Sequence, residues 1–380
     1  MMALMTPETD LCEADDGIVL DIDSAEEVLP FRYSITAYGA DLPVDGLVQR
    51  INSGDIIVPR FGENDPRTPD DVKPFQRSRV WSRRQKDRFI ESLLLGLPVP
   101  EIFLIAENSG RHLVLDGQQR LLTLVDYFSG VTGGREFRLQ QVQEDLRKAY
   151  KELDDDDRRR LENALIHATI VRQDEPADGL SSIYTLFERI NTGGTQLQPH
   201  EIRVALFHGA YVDLLADLNQ GENWRQLYGR PSARLKDQEL ILRFFALHLE
   251  GRSGSPAYGP PMKQFLSEHL DHNRHLGVFD GPSLMDAFTA ATECVLRAIG
   301  PDAFKPHSRQ INAAVLDSVL TGVARRLEAG PVSNDNSILT AYRSLVGLDE
   351  YQSATERATA NEANVRTRLT LATDHFAQAE

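Results

Sequence analysis

Apolar residues change their period once along this chain, near residue 205, and that change limits the possible folds more than any single motif. Before it, short β-branched runs such as Ile56-Ile57-Val58 and Val99–Ala106 alternate with Gly, Pro and amphipathic stretches. After it, strand signals largely disappear and apolar residues recur at helical spacing. Leu240, Ile241, Phe244, Phe245 and Leu249 form one stripe, and Val315, Leu316, Leu320 and Val323 another. The pattern predicts an α+β N-terminal domain over 31–205 followed by an all-helical domain over 206–380, and the 380 residues suffice for two or three cores.

The first 30 residues read as an acidic, poorly ordered tail with at most a short strand at Gly17–Ile22. Met1 to Phe31 carries nine acids and no Lys or Arg, the opposite of a signal or transit peptide. No window reaches the run of about 18 apolar residues that a membrane span needs. A cytoplasmic protein with no membrane partner is expected. Cys12 and Cys294 are far apart and lack metal-ligand spacing, so neither a disulfide framework nor a zinc site is signalled, and no metal ligands are assigned.

Net charge is −16, which argues against a protein that coats nucleic acid with its whole surface. The exception is local. Lys73, Arg77, Arg79, Arg83, Arg84, Lys86 and Arg88 fall within 16 residues that hold one acid, Asp87. Arg79, Arg83, Arg84 and Lys86 are therefore the candidates for contact with DNA phosphates.

Local signals place these residues on elements. A short helix is expected around Val44–Ile51. Ser82 and Gln85 have capping-box spacing, with Phe89, Ile90, Leu93 and Leu94 following on one face, and Gly96 and Pro98 ending the helix. Val99–Ala106, a turn, and His112–Asp116 read as two strands, followed by a helix that stops at Gly130. Asp154–Arg160 reads as a solvated helix start. A strand at Ala168–Gln173 and a helix at Ser181–Ile190 come next, and Pro199 opens another helix. His269 to His275 reads as a helix end running into a loop.

The most informative segment is His112-Leu113-Val114-Leu115-Asp116-Gly117-Gln118-Gln119-Arg120. A buried strand that turns directly into a helix presents unpaired backbone N–H groups, a seat for phosphate. Gly117 allows the tight turn, Gln118 and Gln119 supply donors, and Arg120 supplies a charged fork. Asp116 can order a catalytic water or hold a nucleotide-bound metal. The bland alternative is that Asp116 only caps the helix and Arg120 pairs with a surface acid. A second segment, Asn191-Thr192-Gly193-Gly194, is either a helix C-cap or a turn that wraps a ligand with its amides. A third, Phe75-Gln76-Arg77-Ser78-Arg79-Val80-Trp81, offers Arg77 from a basic loop, with Trp81 as a core anchor.

In order and spacing these segments resemble the N-terminal domain of GmrSD-type modification-dependent restriction enzymes, a family with a ParB/sulfiredoxin-like fold. The resemblance rests on Phe75–Ser82, on Ile90–Pro100, on Leu115–Leu124 and on Phe187–Thr195, and extends through Asp237–Phe244. It implies a nucleotide-binding and NTP-hydrolysing module used against phage DNA carrying modified bases. It places the nucleotidase signature on Asp116, Gly117, Gln118, Gln119 and Arg120, with Asp116, Gln119 and Arg120 catalytic. Arg77 and Asn191, Thr192, Gly193 and Gly194 join the nucleotide-binding set. The implied ligands are a nucleoside triphosphate of unassigned base and Mg2+, and the implied partners are DNA and a separate nuclease subunit. Longer family members add an HNH-type nuclease domain, whereas this chain continues in helices, so any cutting is assigned to another polypeptide.

Two other readings stay open on sequence. One is a non-enzymatic DNA-binding adaptor switched by nucleotide. The other is a structural subunit with a decayed pocket, against which both Asp116–Arg120 and Asn191–Gly194 are intact.

Overall fold

The structure is a computed structural model, and the residues it describes are 19–20, 35–58, 81–107, 110–173, 186, 198–232 and 234–380. They fall into two compact units, Phe31–Leu197 and a second that joins Gln198–Glu380 to Met1–Pro30. The α+β reading holds: one mixed sheet lies in the first unit, and helices dominate the second.

In chain order the elements are β1 (Val19–Leu20), β2 (Ile35–Pro43), α1 (Val44–Asn52), β3 (Ile56–Ile57), α2 (Arg83–Leu94), β4 (Ile102–Ala106), β5 (His112–Asp116), α3 (Gln118–Ser129), β6 (Val131–Thr132), β7 (Arg135–Glu136), α4 (Asp155–Glu162) and β8 (Leu165–Gln173). Five strands form the sheet in the order β2-β8-β4-β5-β3. β2 and β8 are antiparallel, β8 and β4 parallel, β4 and β5 antiparallel, and β5 and β3 parallel.

Alternation decides which face is covered by helices. Ile102 and Leu104 of β4, Val114 of β5, and Ile166, Ala168 and Ile170 of β8 point to one face. There they pack against Leu47, Phe89, Ile90, Leu93, Leu94, Leu121, Leu124 and Tyr127 from α1 to α3. Each such side chain contributes about 1.5–3 kcal/mol when fully buried. Leu113 and Leu115 are also buried, on the other face, which is why β5 reads as an unbroken apolar run.

Local signals were well matched in this unit. Ser82 caps α2 with a complete capping box: its backbone N–H donates to Gln85 Oε1 at 2.9 Å, and its side chain accepts from the Gln85 amide. Asp154 caps α4 by accepting from Asp157 N–H at 2.9 Å. Two boundaries differ, and one element is new. β4 begins at Ile102 rather than Val99 because Pro98 and Pro100 have no N–H to give a ladder. β8 begins at Leu165 rather than Ala168 because pairing with nine residues of β2 extends it, and the polar His167 that hides its start faces Asp41 at 2.8 Å. The β6–β7 hairpin was not anticipated. Of the helix expected over Ser181–Ile190 only residue 186 is described, and it is helical.

The second unit is helical as expected. Val19–Leu20, within the anticipated short strand, pairs in parallel with Ile311–Asn312 of that unit. Pro199–Leu206 is the helix opened by Pro199. The helix Ala313–Glu328 is buried at every residue from Ala313 to Ala324, so it is a central helix rather than the amphipathic one its stripe predicts. Small residues permit this: a Cβ on Gly322 would stand 2.9 Å from the Ala372 carbonyl oxygen of the helix Glu362–Ala377. Inside that packing Asp317 is fully buried and takes Arg243 at 2.8 Å and Arg368 at 3.3 Å. Among the described residues no helix is long and apolar enough to cross a membrane.

Candidate functional site

The junction of β5 and α3 has the geometry that its residues require. Gly117 is the N-cap of α3 in the left-handed region, φ 95°, and an added Cβ would lie 2.4 Å from Ile102 Cγ2. Both constraints exclude a side chain. Asp116 is therefore the last residue of β5 and not the cap. Among the described residues no side chain accepts from the first N–H groups of α3.

Gln118 is buried, 6% exposed, and among the described residues neither Oε1 nor Nε2 has a hydrogen-bond partner. A carboxamide left unpaired in such a setting costs about 1–3 kcal/mol per group. Gln119 is half-buried and its Oε1 accepts from the Trp81 backbone N–H at 3.0 Å. Arg120 is 13% exposed; Nη2 donates to Asp116 Oδ2 at 2.6 Å and to the Glu101 carbonyl at 2.9 Å, while Nε is buried without a partner among the described residues. Arg120 does pair with an acid, as the bland alternative held, but the acid is Asp116 of its own motif. The guanidinium lies within the junction.

The Trp81–Gln119 bond brings the starts of α2 and α3 together. Helices ordinarily carry acids in the first turn, as α4 does with Asp155, Asp156 and Asp157. α2 and α3 have none; their first turns hold Arg83, Arg84, Lys86 and Arg120 instead. Cations beside two positive dipole ends are unfavourable alone and favourable around an anion.

Within the basic segment the cations separate into two groups. Arg83 bonds Asp87 at 2.9 Å and the Arg138 carbonyl, and lies 4.4 Å over the Phe137 ring. Lys86 bonds Asp126 at 3.0 Å and Thr132 Oγ1 at 2.8 Å. Arg84 and Arg88 are exposed and, among the described residues, carry no ion pair. Arg77, Arg79, Asn191, Thr192, Gly193 and Gly194 lie outside the described residues. Trp81 is half-buried against the core and meets Phe89 edge-on at 5.6 Å.

Sequence reasoning counted Asp87 only as the lone acid of a basic window. It is fully buried, and besides Arg83 its other oxygen accepts the N–H groups of Gln140 and Gln141 at 2.9 and 3.0 Å. It anchors α2 to a loop far along the chain. Only its isolation among cations could have flagged it.

His269 stands on the helix Met262–His272, which ends in a turn as anticipated. Its Nε2 shares a hydrogen bond with the buried Tyr211 hydroxyl at 2.8 Å, and burial pushes its pKa down to about 4. Among the described residues no group of three or more His, Cys, Asp or Glu side chains could hold a metal ion.

Residues 47–208 match the family model described as GmrSD restriction endonuclease, N-terminal domain. No curated protein matches the chain.

Proposed function

The 47–208 segment of this chain belongs to the GmrSD restriction endonuclease N-terminal domain family, and from that premise we propose that it binds and hydrolyses a nucleoside triphosphate at the β5–α3 junction, as the sensing part of a restriction system directed at modified phage DNA. The nuclease in this reading is a separate polypeptide, and the protein works in the cytoplasm.

One observation carries the reading: the buried Gln118 carboxamide, without a hydrogen-bond partner among the described residues, at the uncapped first turn of α3. A polyphosphate fits the rest of the donor set. Gly117 lets the backbone approach closely, the uncapped amides at the start of α3 suit an oxyanion, and Arg120 offsets phosphate charge once it exchanges part of its bond with Asp116. The carboxylate of Asp116, 43% exposed, then orients the attacking water. The water oxygen bonds to the terminal phosphorus as the bridging P–O bond breaks, releasing phosphate and the diphosphate. A single carboxylate suits Mg2+, which is held mainly by phosphates and water and supplies charge neutralisation. Asn191–Gly194 and Arg77 belong to the same binding set in this reading.

The experiment is phosphate release from each of the four common ribonucleoside triphosphates with Mg2+. Arg120→Ala and Asp116→Ala are expected to lower turnover at least tenfold. Unchanged turnover in both variants removes the assignment.

Exposed Arg84 and Arg88 favour a second reading, a DNA-binding adaptor for which nucleotide is only a switch. It requires that DNA affinity fall steeply with salt, because each neutralised phosphate releases counterions, and that no phosphate be released with DNA present.

A further inference from the structure

We propose that Gln119 is a positioning residue that couples occupancy of the β5–α3 junction to the start of α2 through the backbone amide of Trp81. The inference rests on the nucleotide reading above and adds how a bound anion is transmitted.

The geometry is specific about the carboxamide. An N–H can only donate, so the atom facing Trp81 at 3.0 Å is the acceptor Oε1. Gln119 lies in the first turn of α3, so one planar group there holds the α2 entry with its oxygen.

Trp81 in turn moves with α2. It precedes the Ser82 capping box, and its ring packs edge-on against Phe89 one face along the same helix. α2 is fastened at further points: Asp87 accepts from Gln140 and Gln141, and Glu91 accepts from the Gln143 N–H at 3.1 Å. A shift of the α3 first turn on ligand binding is therefore passed to α2 and to the 140–143 loop, and among the described residues no other hydrogen bond joins the two helix starts. Hydrophobic contact alone would not transmit direction; a hydrogen bond of fixed donor and acceptor does.

Trp81 is one of two tryptophans in the chain, the other being the fully buried Trp224 of the helical unit, so its emission is a local reporter. Full-length protein is titrated with MgATP and, separately, MgGTP, with binding followed by calorimetry and tryptophan emission recorded at saturation. In wild type an emission shift is expected that Trp81→Phe abolishes. Gln119→Leu, and Gln119→Asn with its amide one methylene short, are expected to bind within about tenfold of wild type yet lose most of that shift. Gln119→Glu, which retains the acceptor oxygen, is expected to keep the shift at saturating nucleotide, its added negative charge weakening binding. A full shift in both Gln119→Leu and Gln119→Asn overturns the coupling and leaves the nucleotide site standing. Loss of binding in both variants also overturns it, by making Gln119 a ligand contact. Absence of binding to wild type by either nucleotide removes the nucleotide reading itself, and the coupling with it.

Discussion

Arg120 reaches back one helical turn to Asp116, 2.6 Å away, and the same nitrogen donates to the Glu101 carbonyl. The pair closes the β5–α3 junction on itself and links it to the entry of β4. A lysine at 120 ends one bond short of the guanidinium fork, so its ammonium cannot stand where Nη2 meets both acceptors. Arg120→Lys is expected to cost about 1–2 kcal/mol of stability, by loss of one bond to a charged donor, measured as a shift of the urea midpoint. A midpoint equal to wild type would mean the fork is not used.

Gly117 meets two independent exclusions, its left-handed backbone and the 2.4 Å approach to Ile102. Gly117→Ala is expected to destabilise by about 2–4 kcal/mol, the sum of backbone strain and overpacking. Ile102→Ala removes the obstructing methyl, so in a double-mutant cycle the two changes should cost less together than separately. Simple additivity would show that the clash relaxes elsewhere.

Asp87 is a buried carboxylate with an arginine and two backbone amides on it. Asp87→Ala leaves those donors without an acceptor and is expected to cost about 3–5 kcal/mol. Hydrogen exchange should show loss of protection at Gln140 and Gln141 before the rest of the sheet. Uniform loss of protection would deny Asp87 its anchoring role.

The buried histidines make the helical unit acid-sensitive. His269 is held at about 4 when folded, against about 6.5 when exposed in the unfolded chain, and burial lowers His200 well below its ordinary value too. The unfolded state binds more protons in that interval, so stability is full above about pH 6.5 and falls as pH drops toward 4. For His269 the loss is about 3 kcal/mol at most. Urea midpoints at pH 7.5 and pH 5 should differ, and His269→Gln, which can still accept from Tyr211, should flatten the difference. An equal pH slope in that variant would shift the effect to other groups.

Local rules carried a large part of this protein. The Ser82 and Asp154 caps, the stop at Gly130, the strand His112–Asp116 and the helical second half were all legible, because each depends on residues within a few positions of one another. The Asp-Gly-Gln-Gln-Arg run marked the junction for the same reason: a strand meeting a helix at glycine is a short-range statement.

What each member of that run bonds to was settled elsewhere. Gln119 meets an amide 38 residues upstream, Asp87 meets amides 53 and 54 residues downstream, and Asp317 sits between arginines 74 and 51 residues away. Spacing cannot disclose such partners, because chain separation says nothing about distance once strands and helices have packed. The sequence by itself determined the order of the elements and the position of the junction. Arg83 and Asp87 are one turn apart on α2, a pair that spacing allows. Tertiary packing alone decided that Lys86 meets Asp126 and that Arg84 and Arg88 carry no ion pair among the described residues, since that is a property of how α2 lies on its neighbours.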